Sequence, residues 1–406
     1  MFLKIVKVAA ILLFANFSIF SQSSKKGVET TAVPFLLLAP DSRAGGIGES
    51  GSGLADNSAA IFWNPAGIGF LRGSEVSFTH SNWLPQFNLD LFYEYFTFRM
   101  YLEEINGSVT SSLTYMNFGE FVRTGENDPT PLGKFKSFDL AWTLGYSTQL
   151  SEDWAIGTNF RLIHSRLSDK GAGQEQGKGV ATSVSFDIAG MWRPGELNIP
   201  YVGNLGNKFS VGLNISNIGP EIYYIDQAQA DPIPTNFRLG FAYEFFSDDF
   251  NSLVGTIDFS KLLVHRVDID SVEIPGQPGV YQKVRKKRDK FYKAIFTSWF
   301  DQPFREELKE FVASMGLEYW YGQPQDFLFA LRAGFFYEDP EYGNRKFMTL
   351  GAGIRYDIYG FDFSYITTSI FKGGENHPLS ETLRFTILMG WGAPKKEKNI
   401  TLPRGI

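Results

Sequence analysis

Alternation of apolar and polar residues with a period of two runs through this chain from about residue 74 onward, and it limits the folds open to the chain. Segments of 9 to 13 residues carry rings and aliphatic side chains at every second position, with mainly small polar residues between them. The clearest segments are 347–357, 359–367 and 382–392. Successive side chains of a β-strand point to opposite faces, whereas a helix repeats every 3.6 residues. The pattern therefore predicts an all-β protein.

The residue composition of the second face of these predicted strands distinguishes a membrane barrel from a soluble β-protein. A soluble sandwich would expose a face rich in Lys and Glu, but here that face is mainly Gly, Ser, Thr and Asn, which suits a polar lumen. The 39 Phe, 18 Tyr and 8 Trp suit a lipid-facing wall with aromatic girdles. Averaging two such faces accounts for a mean hydropathy of only -0.14. The pattern favours a transmembrane β-barrel, with a soluble β-protein as the alternative.

Fourteen segments are predicted to be strands, an even number, as bacterial outer-membrane barrels require. They are 74–83, 90–101, 107–118, 137–149, 154–166, 180–193, 208–217, 236–246, 252–261, 313–321, 327–338, 347–357, 359–367 and 382–392. With both termini in the periplasm, the predicted external loops are 84–89, 119–136, 167–179, 218–235, 262–312, 339–346 and 368–381. The predicted periplasmic turns are 102–106, 150–153, 194–207, 247–251, 322–326 and Ile358. Long and short connections thus mostly alternate, as in such barrels.

Both ends of the chain lie outside the predicted barrel, which spans 74–392. Residues 1–21 combine lysines with an apolar run, as a secretory signal peptide does. The absence of Cys excludes disulfides and a lipoprotein anchor. Residues 22–73 are rich in small and polar side chains and are predicted to form a hatch, because fourteen strands enclose more space than their own side chains fill. Residues 393–406 are predicted to be a periplasmic tail.

Neither catalysis nor nucleic-acid binding is indicated by the remaining features. The 44 acidic residues outnumber 38 basic ones, which argues against a general nucleic-acid binder. The run from Gly46 to Gly51 matches a dinucleotide-binding pattern, but no acidic residue follows about 20 positions on and no βαβ alternation follows it. The 4 His are far apart in sequence and show no metal-ligand spacing. We therefore predict no enzymatic activity, no metal site and no cofactor.

Several motifs resemble one family of secretion proteins. They comprise residues 34–46 (PFLLLAPDSRAGG), 56–60 (DNSAA), Trp63, and the hatch motif Asn64, Pro65, Ala66 and Gly67, together with 306–310, 316–321, 329–338, 343–346, 359–365 and 383–386 in the C-terminal third. These residues resemble the PorV (LptO) family of the type IX secretion system of Bacteroidetes. The Asn-Pro-Ala element is shared more widely with the FadL superfamily. The resemblance implies a FadL-like, fourteen-stranded outer-membrane barrel with a hatch.

The resemblance also implies a function. PorV-like proteins bind the C-terminal signal domains of cargo at a giant SprA/Sov-like translocon barrel and shuttle the cargo to a PorU-like sortase complex, which removes the signal and attaches the cargo to lipopolysaccharide. A protein of this kind is not a catalyst. The alternative, which rests on architecture and superfamily alone, is a FadL-like transporter of hydrophobic small molecules.

Two sets of residues are candidates for contacts. In the 262–312 loop, a basic run and a row of apolar residues are predicted to lie on an amphipathic helix, which either folds over the barrel rim or docks to the translocon, cargo or lipopolysaccharide. The loop candidates are Lys283, Arg285, Lys286, Lys287, Arg288, Phe291, Tyr292, Ile295, Phe296, Trp299 and Phe300. The second set is predicted to face the lumen, where its members either pair with one another and the hatch or serve conduction. It contains Arg161, Asp187, Arg238, Glu244, Arg332, Arg355, Asp362 and Arg384.

Overall fold

Fourteen strands form one closed antiparallel barrel in the computed structural model, which confirms the predicted architecture. The structure describes residues 28–392 apart from 125–129, 170–176, 202, 266–268, 274–280, 286–287, 324–326, 369–370 and 372–376, so the predicted signal peptide and periplasmic tail lie outside the described residues. In chain order the strands are β1 (Ser74–Asn82), β2 (Phe92–Leu102), β3 (Gly107–Thr124), β4 (Pro131–Gln149), β5 (Trp154–Arg166), β6 (Val180–Trp192), β7 (Phe209–Ile218), β8 (Asn236–Ser247), β9 (Asn251–Leu262), β10 (Val312–Gly322), β11 (Phe327–Tyr337), β12 (Lys346–Tyr356), β13 (Tyr359–Thr367) and β14 (Leu383–Trp391). The first and last strands close the barrel, with Ser74 opposite Trp391. A closed ladder satisfies the backbone polar groups that lipid cannot.

The two faces of the wall differ as the alternation predicts. In β4, Trp142, Leu144 and Tyr146 point outward and are exposed, whereas Ala141 and Thr143 point into the lumen and are buried. The other strands likewise bury mainly Ser, Thr, Asn and charged side chains on the inside. An apolar outer wall around a polar interior is the arrangement of a barrel in lipid.

The two ends of the barrel carry connections of different length. One end has short turns such as 150–153 and 357–358, and the other has long loops such as 219–235 and 263–311. Outer-membrane barrels direct the long loops outward, so we call the second end the external end. A small hairpin, Asn198–Ile199 with Gly203–Asn204, interrupts the predicted 194–207 turn.

Residues 28–73 form the hatch segment, which is built from short helices and turns inside the barrel. It contains the 3-10 helices Pro34–Leu37 and Pro65–Phe70 and the helices α1 (Ser42–Gly46) and α2 (Ala60–Trp63). Most of its side chains are buried, including Ile61 and Ile68 in an apolar cluster with the barrel wall. None of the helices in the described part of the chain is long and apolar enough to cross a membrane.

The prediction of a loop over 119–136 is wrong for most of these residues, because β3 and β4 continue through the region as paired strands. A register shift between Asn117 and Glu120 interrupts the period of two. The sequence pattern therefore ends there, although the strand continues. The extension of the two strands past their barrel neighbours, residues 118–124 and 131–137, is called the external ribbon below.

The described residues of the predicted 262–312 loop include two strands and two helices. The strands Ile269–Glu273 and Tyr281–Arg285 pair as a hairpin. Two short helices follow, α3 (Phe291–Thr297) and α4 (Phe304–Lys309). The apolar row predicted for one helix therefore extends beyond α3, because Trp299 and Phe300 lie in the turn after it.

Candidate functional site: the plugged lumen and the external loops

The hatch motif Asn64, Pro65, Ala66 and Gly67 shapes a tight turn between two short helices. The fully buried Asn64 side chain accepts a hydrogen bond from the Ala66 amide at 3.0 Å, and it donates one to the Gly190 carbonyl of β6 at 3.2 Å. Gly67 lies so close to Ala55 that a side chain there would collide with the Ala55 carbonyl oxygen. The motif thus both forms the turn and attaches it to the wall.

The hatch is attached to the wall around the whole barrel. On one side, Ser147 of β4 donates to the Pro65 carbonyl at 2.7 Å and Asn159 of β5 donates to the Ile61 carbonyl at 2.8 Å. Other strands make similar contacts through Glu75, Thr97, Ser108, Ser210, Asn214, Asp258, Glu318, Thr349 and Thr386. Glycines allow the closest approaches, as at Gly334 of β11, where a side chain would collide with the Gly48 backbone. The hatch is therefore a fastened plug.

A buried network of charges links the hatch to one side of the wall. Arg43 of α1 lies 2.5 Å from Asp56 of the hatch and 2.7 Å from Glu318 of β10. The network continues from Glu318 to Arg332 at 2.7 Å, and from Arg332 to Asp362 at 2.8 Å. Arg355 joins it through Asp362 at 2.6 Å. Charges buried in this way are retained only when they are paired.

The predicted lumen-facing residues do lie inside the barrel, and most pair there. Arg161 contacts Asp187 at 2.8 Å, and Arg384 contacts Glu49 of the hatch at 2.8 Å. Arg238 instead stacks over the Trp63 ring of the hatch at 4.6 Å. Glu244 is fully buried. The pairing supports a structural role for these side chains.

Sequence reasoning did not single out Arg43, Asp56 and Glu318, whose ion pairs link the hatch to the wall. Glu318 occupies an inward position of a predicted strand, so the alternation could have marked it as a lumen charge. Asp56 and Arg43 have no such signature, because the hatch lacks a regular period. In the described part of the chain, no group of three or more acidic or His side chains is arranged to hold a metal ion.

A cavity of about 450 Å³ lies between the hatch and the external end of the wall. Its lining is apolar on one side and charged on the other. The apolar lining includes Trp83, Phe336, Phe347, Ile366 and Leu379, and the charged lining includes Glu49, Arg238, Asp258, Glu338 and Arg345.

The structure divides the loop candidates between several environments. Arg288 contacts Glu29 at 3.1 Å and Asp231 at 3.7 Å, so it holds the loop against the rest of the protein. Lys283 and Arg285 lie on the second hairpin strand, and Lys286 and Lys287 lie outside the described residues.

The predicted apolar row on this loop is not a single buried face. Phe291, Ile295 and Trp299 are partly buried, whereas Tyr292, Phe296 and Phe300 are exposed. The Trp299 ring packs against Phe237 of β8 at 5.1 Å. This part of the loop therefore folds over the barrel, as one of the two predicted alternatives requires, and leaves a second apolar side uncovered.

Comparison with known proteins places the chain in a family. A family model described as "Type IX secretion system protein PorV" matches residues 21–268, and no curated protein matches the chain. The solved structures similar to it include the toluene transporter TbuX of Ralstonia pickettii, at 10% identity over 87% of this chain and 98% of that one with a TM-score of 0.48. A FadL homologue of Pseudomonas aeruginosa is similar at 10% identity over 86% and 97%, with a TM-score of 0.46. The Pseudomonas putida toluene transporter TodX is similar at 12% identity over 85% and 95%, with a TM-score of 0.45. Because the family model covers more than half of its residues, the chain belongs to the PorV family and is an outer-membrane component of the type IX secretion system.

Proposed function

We propose that this protein is a non-enzymatic adaptor that binds the translocon and the C-terminal signal domains of cargo, and shuttles cargo to the surface sortase and attachment complex. The observation that carries the proposal is the fastened hatch, which contacts the wall on every side of the lumen. A plugged barrel has its outer surfaces available for partners. Family membership supplies the secretion context.

Affinity purification from native outer membranes tests this proposal. A tagged protein should recover the giant translocon barrel together with cargo that still carries its signal domain. Recovery of the intact barrel with neither partner, under conditions that preserve other outer-membrane complexes, would contradict it.

The basic strand of the external hairpin is the proposed partner contact within the 262–312 loop. Lys283 and Arg285 occupy alternate positions of that strand. Replacing both by Glu should reduce recovery of the translocon, because a partner surface that binds basic side chains would repel acidic ones. The matched control is the same replacement of Lys134 and Lys136, which are exposed at alternate positions of the external ribbon. Equal loss in both variants would point to net charge rather than to this contact.

A second candidate function, transport of a hydrophobic small molecule, is favoured by the cavity of about 450 Å³. Phe336 and Phe347 stack at 4.5 Å on its apolar side and would suit an apolar ligand. Native mass spectrometry of the purified barrel tests it. A bound lipid or hydrocarbon that is lost on Phe347→Asp, with translocon recovery unchanged, would support transport, whereas an empty barrel would argue against it.

A further inference from the structure

An uncovered row of large apolar side chains runs along α3, the turn after it and α4. Its members are Tyr292, Phe296, Phe300, Phe304 and Leu308, spaced four residues apart and exposed by 58%, 72%, 87%, 78% and 54%. Residues four apart lie on the same side of a helix, so each helix presents one apolar side. Exposed large apolar side chains concentrated in one segment of the chain mark contact with a protein or a membrane.

The position of the two helices on the barrel distinguishes these partners. Phe237 and Lys261 form a cross-strand pair at the external ends of β8 and β9. Their neighbours Arg238 and Ser260 line the lumen cavity, so strand alternation places Phe237 on the outside of the wall. Lys261, one residue before the end of β9, also borders the cavity. Trp299 packs on Phe237 and lies over Lys261. The turn after α3 therefore lies against the outer wall, whereas α4 reaches Glu341 and Tyr342, and Tyr342 lines the cavity.

The attachment of this segment explains an unusual lysine. Lys261 lies near the external end of β9, and its side chain is fully buried. Glu307 of α4 lies 2.8 Å from its ammonium group, and Glu310 pairs with the same group. A lone buried ammonium group would be costly, and both carboxylates pair with it. The contacts of Trp299 and Glu307 thus fix this segment at the external end of the barrel.

We propose that α3 and α4 form an interfacial anchor, whose aromatic row enters the outer leaflet of the membrane and contacts lipid acyl chains. The row continues the lipid-facing wall, since the outward residues of the strands beneath it, such as Leu239 and Phe259, lie next along the same surface. Exposed Lys290, Lys293 and Arg305 flank the row and suit the phosphate groups of lipid headgroups. Helices with an apolar side and basic flanks lie in the membrane interface in this way.

The absence of Cys from the chain allows a direct test with single labels. The full-length Phe300→Cys variant is labelled with an environment-sensitive fluorophore. It is then reconstituted in phosphatidylcholine vesicles and, separately, in vesicles with brominated acyl chains. Leu331→Cys on the outer face of β11 is the lipid-facing reference, and Leu132→Cys on the external ribbon is the water-facing one. These residues are exposed by 65% and 59%, so the substitutions disturb little packing.

The expected result is that the label at Phe300 loses most of its emission in brominated vesicles, as the label at Leu331 does, and resists quenching by aqueous iodide. A label at Phe300 that behaves like the one at Leu132 would overturn the anchor. That outcome would assign the row to a protein partner instead. Phe296→Cys provides a second position on the same side of α3 and should give the same result as Phe300→Cys.

Discussion

Removing Arg43 should release the hatch without unfolding the barrel. Its guanidinium group pairs with Asp56 at 2.5 Å and with Glu318 at 2.7 Å, and all three residues are buried. In Arg43→Met, Glu318 keeps its pair with Arg332, but Asp56 loses the only ion pair that the described residues give it. Removing one partner of a buried pair costs about 3–5 kcal/mol. At about 1.4 kcal/mol per factor of ten, the released fraction should rise by about a hundredfold to a few thousandfold.

Hydrogen exchange measured by mass spectrometry on peptides from 41–56 reports this release, because local opening sets the exchange rate there. Arg43→Met should accelerate exchange in these peptides and leave the β4–β5 peptides unchanged. The double variant Arg43→Met with Asp56→Asn should recover part of the protection, since it leaves no lone charge on Asp56. Arg123→Met is the matched control, because Arg123 pairs with Asp169 at 3.5 Å on the exposed ribbon. Unchanged exchange in 41–56, or equal acceleration in every strand, would refute the reasoning.

Four further outcomes are expected. Wild-type protein should be electrically silent in a planar bilayer, and steady ion conduction would contradict a fastened plug. Gly67→Ala should destabilise the docked hatch by about 1–3 kcal/mol, read from the same exchange experiment, because the new methyl group would collide with the Ala55 backbone. Lys261→Met should remove the ion pair that joins α4 to the end of β9 and raise the rate of protease cleavage in α3 and α4; unchanged cleavage would show that packing alone holds them. The pKa of Lys309 is raised from its usual 10.5, mainly by its hydrogen bond to Glu341, so this contact should stabilise α4 below that pH and weaken as pH rises through the raised pKa. Protease cleavage in α4 should therefore rise in strongly alkaline solution, and an unchanged cleavage rate would contradict this role of Lys309.

The strands could be predicted from the sequence because the period of two is local. Trp142, Leu144 and Tyr146 show it within a few residues, and the structure places all three on the outer face. The same rule failed between Asn117 and Glu120, where a register shift breaks the period while the strands continue. A rule based on spacing cannot distinguish such a shift from the start of a loop.

The contacts of the hatch were beyond sequence reasoning for a different reason. Arg43 and Glu318 are 275 residues apart, and only closure of the barrel brings them together. The motif at Asn64 was recognisable because its turn is local, whereas the choice of Gly190 as its partner depends on the wall. One helix was predicted in the loop, but the structure ends it at Thr297 and adds a second at Phe304–Lys309. Which aromatic side chain packs on Phe237 is decided by the barrel surface.

The contacts of the hatch also have a consequence for assembly. Ser42, near the beginning of the described chain, bonds to Thr386 of the last strand, 344 residues away. The surface that binds the hatch is therefore incomplete until the final strand has joined the sheet. Such long-range contacts form late in folding. Hatch docking then reports that the barrel is complete and in register, since a slip of one residue would turn Thr386 toward lipid. If partners bound only protein with a docked hatch, then only completely assembled barrels in the correct register would enter the complex.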